Sequence, residues 1–80
     1  MLLAHLPTGT HATVKHLDSD SPHVDAGALR RLAELGFLPG EPVKVLHRGP
    51  GGREPLAVLI GETMFALRLL EASCVRVAPV

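Results

Sequence analysis

The stretch "HLDSDSPHVD" gathers two of the chain's five histidines, His16 and His23, with Asp18, Asp20 and Asp25. Imidazole nitrogens and carboxylate oxygens together suit zinc and other divalent first-row metals. Neither a His-x-x-Cys-type spacing nor a helical pair of histidines accompanies them, and a loop cluster need not converge. The plainer alternative is a solvated acidic turn with exposed histidines. The expectation for metal is therefore a surface zinc or other divalent ion, opportunistically held by His16, Asp18, Asp20, His23 and Asp25 or shared between two molecules. No cofactor is required.

Other candidate chemistry is thinner. "GPGG" (Gly49 to Gly52) lacks the Gly-Lys-Ser/Thr ending of a phosphate loop, and no helix opens after it. A flexible hairpin tip accounts for it. Cys74, the one cysteine, stands between a helical turn and a strand of alternating valines, where a free thiol behaves as a small buried hydrophobe. No Ser/His/Asp order and no paired carboxylate supplies an activated nucleophile. The chain reads as a non-enzyme.

Charge and length narrow the field further. Eight acidic and eight basic residues cancel, whereas nucleic-acid binders carry a basic excess that displaces counterions from phosphates. No apolar run approaches the ~20 residues that cross a bilayer. "MLLAHLPTG" has no basic leader, and His5 and Pro7 interrupt its short apolar patch, so no signal peptide is expected. A lone cysteine cannot close an intrachain disulfide, which suits the reducing cytoplasm. Eighty residues make one domain, and its core must come from aliphatic side chains.

The elements that would position these residues follow from periodicity. "GTHATVKHL" alternates and carries β-branched residues, which predicts a first strand with Ala12 and Val14 inward and Thr13 and Lys15 outward. Leu29, Leu32 and Leu35 recur at helical spacing beside Ala28 and Ala33, which predicts an amphipathic helix. Its start is capped by Ser21 before Pro22 or, equally well, by Asp25. Arg30 and Glu34 are four apart and can pair across its surface.

Gly36 stops the helix in the left-handed conformation, and Phe37 then falls back toward Leu32 in a Schellman arrangement. "LPGE" reads as a type II turn. Strands follow at Val43 to His47, Leu56 to Ile60 and after a turn at Gly61 and Glu62. "LLEAS" makes one helical turn before a last strand, "CVRVAPV". The sum is a mainly β fold: a small barrel of about five short strands. One α-helix separates the first strand from the second, and a short helical turn precedes the last. A barrel of this size invites comparison with peptide-binding SH3 modules. Their grooves stack aromatic rings on polyproline, and this chain has no Trp or Tyr.

Taken as an ordered set, the segments resemble a known family. Arg30 to Gly36, Phe37 to Gly40, Val43 to Val45, Pro55 to Val58, Gly61, Ala66 to Arg68, Leu69 to Ser73 and Val75 to Val77 follow the pattern of the FeoA proteins of bacterial ferrous iron transport. "LAHLPTGTHATV" is a looser match to that family's Leu-x-x-Leu-x-x-Gly opening. The resemblance implies an SH3-like barrel in the cytoplasm that acts as a regulator with the membrane permease FeoB, through FeoB's G-protein domain. A similar barrel ends some iron-dependent repressors, so a metal-responsive domain is the alternative.

The expected contact residues are Arg30, Arg31 and Glu34 on the helix, with His47, Arg48 and Arg53 at the hairpin tip, because arginine favours interfaces. The protein is expected to be a monomer or a metal-bridged oligomer. Neither nucleic-acid binding nor membrane insertion is expected, although its partner could recruit it to the inner face of the membrane.

Overall fold

The computed structural model describes residues 1–19 and 25–80. Five antiparallel strands make one sheet: β1 (His11–Leu17), β2 (Pro42–Arg48), β3 (Leu56–Ile60), β4 (Thr63–Leu67) and β5 (Val75–Pro79). Helix α1 (Ala26–Leu35) joins β1 to β2, and the four-residue α2 (Leu69–Ala72) joins β4 to β5. Across the sheet the order is β4-β3-β2-β1-β5. The mainly β reading, with a helix after the first strand and a helical turn before the last, is what the chain adopts.

Burial alternates along the strands as the pleat requires. Ala12 and Val14 of β1, Val43 and Val45 of β2, Leu56, Val58 and Ile60 of β3, and Val75 and Val77 of β5 form one apolar face. Antiparallel register sets Ala12 opposite Val43 and Val14 opposite Val77. The ladders slip between Val14 and His16, and again between Val45 and His47. Such bulges bend a strand and raise its twist. The sheet curls around a single core that takes residues from all five strands.

The helix and its exit are held by local chemistry. Asp25 is the N-cap: its Oδ1 accepts from Ala28 N at 2.7 Å, a bond of the kind worth about 1 kcal/mol. Ser21 and Pro22, the other candidate start, lie outside the described residues. Leu32 is fully buried, while Leu29 and Leu35 pack partly against the core.

Gly36 ends α1 at φ 114°. Gly36 N donates to Ala33 O and Phe37 N to Leu32 O, each at 3.1 Å, which is the double bond pattern of a Schellman cap. Phe37 is thereby driven wholly into the core. Glu41 N then donates to Leu38 O at 3.1 Å across Pro39 and Gly40, with Gly40 at φ 91°, the backbone of a type II turn. The turn is tied to β1 by Gly40 N to Val14 O at 2.8 Å and Val14 N to Glu41 O at 2.9 Å. The density of sequence signals at this junction serves to set α1 and β2 on β1.

The tip between β2 and β3 is closed by Gly49 N donating to Pro55 O at 2.9 Å. A Cβ at Gly49 would lie 2.3 Å from Glu54 O, so this approach admits glycine alone.

Candidate partner-binding surface

An open groove of about 550 Å³ lies where α1, the end of β4 and α2 meet, lined in part by Ala28, Arg31, Ala66, Arg68, Leu70 and Glu71. Its polar frame is built by one carboxylate. Glu71 Oε2 accepts from Arg31 Nη1 of α1, while Glu71 Oε1 accepts from the Arg68 backbone N at 2.9 Å. The second bond supplies the carboxylate half of a capping box for α2. Glu54 Oε1 accepts from Leu69 N at 3.0 Å, so a second acid secures the same short helix. Leu70, 54% exposed, stands in the groove between these charges.

The groove adjoins a free strand edge. Among the described residues, β4 pairs with β3 alone. In a hairpin whose connection is the two residues Gly61 and Glu62, Ile60 and Thr63 face each other as a hydrogen-bonded pair. Alternation then turns the N–H and C=O of Met64 and Ala66 away from β3, toward the open side. Met64 and Ala66 are exposed, and Met64 is 60% accessible.

The sequence-predicted contact residues divide. Arg30 and Glu34 are exposed on α1 and form no ion pair with each other or with another described residue. Arg31 reaches instead to Glu71. His47 and Arg53 are exposed. Arg48 is engaged within the fold. Its Nη2 donates to Ala4 O at 2.8 Å and Leu6 O at 3.0 Å, clamping the N-terminal 3-10 turn, Leu3–His5, to β2.

The candidate metal ligands also divide. His16 is exposed on β1, Asp18 accepts from Arg76 Nη2 at 3.3 Å, and Asp25 caps α1. Asp20 and His23 lie outside the described residues. Among the described residues, no three or more His, Cys, Asp or Glu side chains are placed to hold one metal ion. No helix among them is long and apolar enough to cross a membrane.

Ala66, Leu70 and Glu71 of the groove and Met64 of the adjoining edge are candidate residues that sequence reasoning misses. A signal for the strand exists: "TMFAL" carries apolar residues at positions where a half-exposed strand normally alternates with polar ones. The Arg31–Glu71 pair spans 40 residues and leaves no local mark.

The fold defines a small SH3-like domain. Chains of known structure agree. A Stenotrophomonas maltophilia FeoA is 44% identical, with a TM-score of 0.84 over 96% of this chain and 88% of its own. It is described as a prokaryotic SH3 domain protein complexed with zinc and put forward as a ferrous iron transport activating factor. Iron(II) transport protein A from Clostridium thermocellum is 31% identical, with a TM-score of 0.84 over all of this chain and 46% of its own. A manganese-dependent transcriptional repressor shares the fold alone, at 21% identity and a TM-score of 0.81 over all of this chain and 41% of its own. Among curated proteins, none matches. The FeoA domain family matches residues 1–79, and the chain belongs to that family, which is linked to ferrous iron transport.

Proposed function

We propose that this protein is a non-enzymatic, cytoplasmic accessory factor of ferrous iron uptake that binds the G-protein domain of the permease FeoB. The observation that carries the reading is the FeoA match across residues 1–79, reinforced by 44% identity to a chain put forward as a transport activating factor. The contact surface we favour joins the outer side of α1, with Arg30, Arg31 and Glu34, to the tip residues His47 and Arg53. Arg48 leaves the set because its guanidinium already serves the N-terminal carbonyls.

The test is a titration of the isolated G-protein domain with the full chain, alongside Arg30→Glu/Arg31→Glu and His47→Ala/Arg53→Glu variants. Loss of affinity in either variant supports the surface. Unchanged affinity in both removes it, and no binding by the wild type removes the partner. Iron uptake by cells with and without this chain then asks whether the contact regulates transport.

A second reading, metal response, is favoured by the zinc in the Stenotrophomonas structure. It assigns His16, Asp18, Asp20, His23 and Asp25 to a surface zinc or other divalent ion. Calorimetric titration with zinc and with ferrous iron decides it. Binding no tighter than millimolar, or binding unaffected by His16→Ala/His23→Ala, ends that reading.

A further inference from the structure

Soluble proteins blunt an exposed strand edge with lysine, proline or a bulge, because its unpaired N–H and C=O groups will template another strand. β4 carries none of these. Its five residues are Thr63, Met64, Phe65, Ala66 and Leu67, and its ladder to β3 runs from Ile60–Thr63 to Leu56–Leu67 without a register shift. Charge stands only at the flanks: Glu62 before the strand and Arg68 after it. Both are exposed, and neither is in an ion pair with a described residue.

That arrangement is self-complementary in one direction only. We infer that the β4 edge is a docking surface for a second copy of this chain, paired antiparallel about a two-fold axis at Phe65. In this register Met64 lies opposite Ala66 of the second copy, and Ala66 opposite its Met64. All four backbone groups that β4 leaves open are then used in two reciprocal hydrogen-bonded pairs. Glu62 falls opposite Arg68 of the second copy, and Arg68 opposite its Glu62. A parallel pairing sets like charge against like, which is unfavourable. Shifting the antiparallel register by two residues forfeits the charge match and carries a hydrogen-bonded position off the strand. In one direction that position is Arg68, whose N–H is already taken by Glu71.

The side chains fit the same register. Opposed residues on an antiparallel ladder project from the same face with Cβ atoms about 4.5–5.5 Å apart. Met64 of the second copy therefore lies beside Ala66, which lines the groove that holds Leu70 and Ala28. An exposed thioether on each chain meets the Ala66 and Leu70 side of the groove on the other, and methionine suits such irregular recesses. The area is that of one short strand and a few side chains, so the dimer is weak and concentration-dependent. It needs neither FeoB nor metal.

Sedimentation equilibrium of the full chain from micromolar to millimolar concentration, in chelator, tests the pairing. The wild type is expected to move from monomer to dimer. Glu62→Arg alone and Arg68→Glu alone each set like charges opposed and should weaken association about tenfold or more. The double variant Glu62→Arg/Arg68→Glu restores the match and should recover it. Thermal melts confirm that each variant is folded, and amide exchange reads the register directly, since Met64 and Ala66 should gain protection as concentration rises.

A wild type that stays monomeric at millimolar concentration overturns the inference. So does a dimer indifferent to the single reversals, or one that the double variant fails to recover. Protection at Met64 and Ala66 that appears only on adding the G-protein domain assigns the edge to that partner instead.

Discussion

The two edges of the sheet are treated in opposite ways. At β5 the chain covers its own edge: Leu2 bridges to Arg76, and Val77 N donates to Met1 O at 2.8 Å. The covering segment is anchored by Leu3 and Leu6, both fully buried, and by Arg48, which holds the Ala4 and Leu6 carbonyls from β2. At β4 no strand is added among the described residues, and Met64 and Ala66 face outward beside the groove. An unpaired edge is a hazard that folds commonly suppress. Closing one edge with the first six residues serves stability, while the other edge is the one the proposed pairing gives to association.

Breaking the covered edge should have the largest effect. Leu6→Ala removes a fully buried side chain and should cost about 2–5 kcal/mol, read by urea unfolding. The same variant should raise amide exchange at Val77, whose N–H loses Met1 O once the segment lifts. If Leu6→Ala unfolds the domain outright, Leu6→Val keeps the comparison measurable at a smaller loss.

Arg48→Ala comes next. It leaves the Ala4 and Leu6 carbonyls without their charged donor while the aliphatic anchors remain, and about 1–3 kcal/mol should be lost. Arg48→Lys should recover only part of this, because a single ammonium lacks the planar fork of guanidinium. An Arg48→Ala protein as stable as wild type, yet weakened toward the G-protein domain, would return Arg48 to the contact surface.

The same contrast explains what is legible in the sequence. β1, α1, the Gly36 stop, the Pro39–Gly40 turn and the β3–β4 hairpin all rest on chemistry within a few residues: alternation, a cap, a positive φ. Each can be read locally. Ser21 and Asp25 are equal as caps by residue type, and only the observed bond from Ala28 N to Asp25 decides for Asp25.

What depends on distant segments is not readable. Arg48 looks like a free cation in the sequence because the carbonyls it holds lie 44 and 42 residues away. Adjacency groups Arg31 with Arg30, although one meets Glu71 and the other does not. The Arg30–Glu34 pairing allowed by spacing does not form, as expected of an exposed pair whose attraction barely exceeds the entropy of ordering two long side chains. Nor can spacing reveal which edge the N-terminus covers, since strand order is set by tertiary pairing.

Glu71→Ala sharpens the open side. It removes both the Arg31 pair and the acceptor for Arg68 N. Half of that is an ion pair whose arginine is 58% exposed, so the loss should come mainly from the cap and amount to about 1 kcal/mol. Arg31→Ala should cost less than Glu71→Ala in the same urea titration, because it spares the cap. Equal losses would mean that the ion pair, and not the cap, secures α2.

Met64→Lys should change stability least and association most. Its side chain is 60% exposed, and surface substitutions of this kind usually fall within about 0.5 kcal/mol of neutral. A lysine there is nevertheless the device by which other proteins guard an edge. It places a charge against Ala66 and Leu70 of any strand that docks in the proposed register. Unfolding midpoints for the variant and wild type should therefore coincide while the monomer–dimer equilibrium shifts toward monomer. A lowered midpoint would instead mean that Met64 packs within its own chain. An unshifted equilibrium would mean that association, if present, uses some other surface.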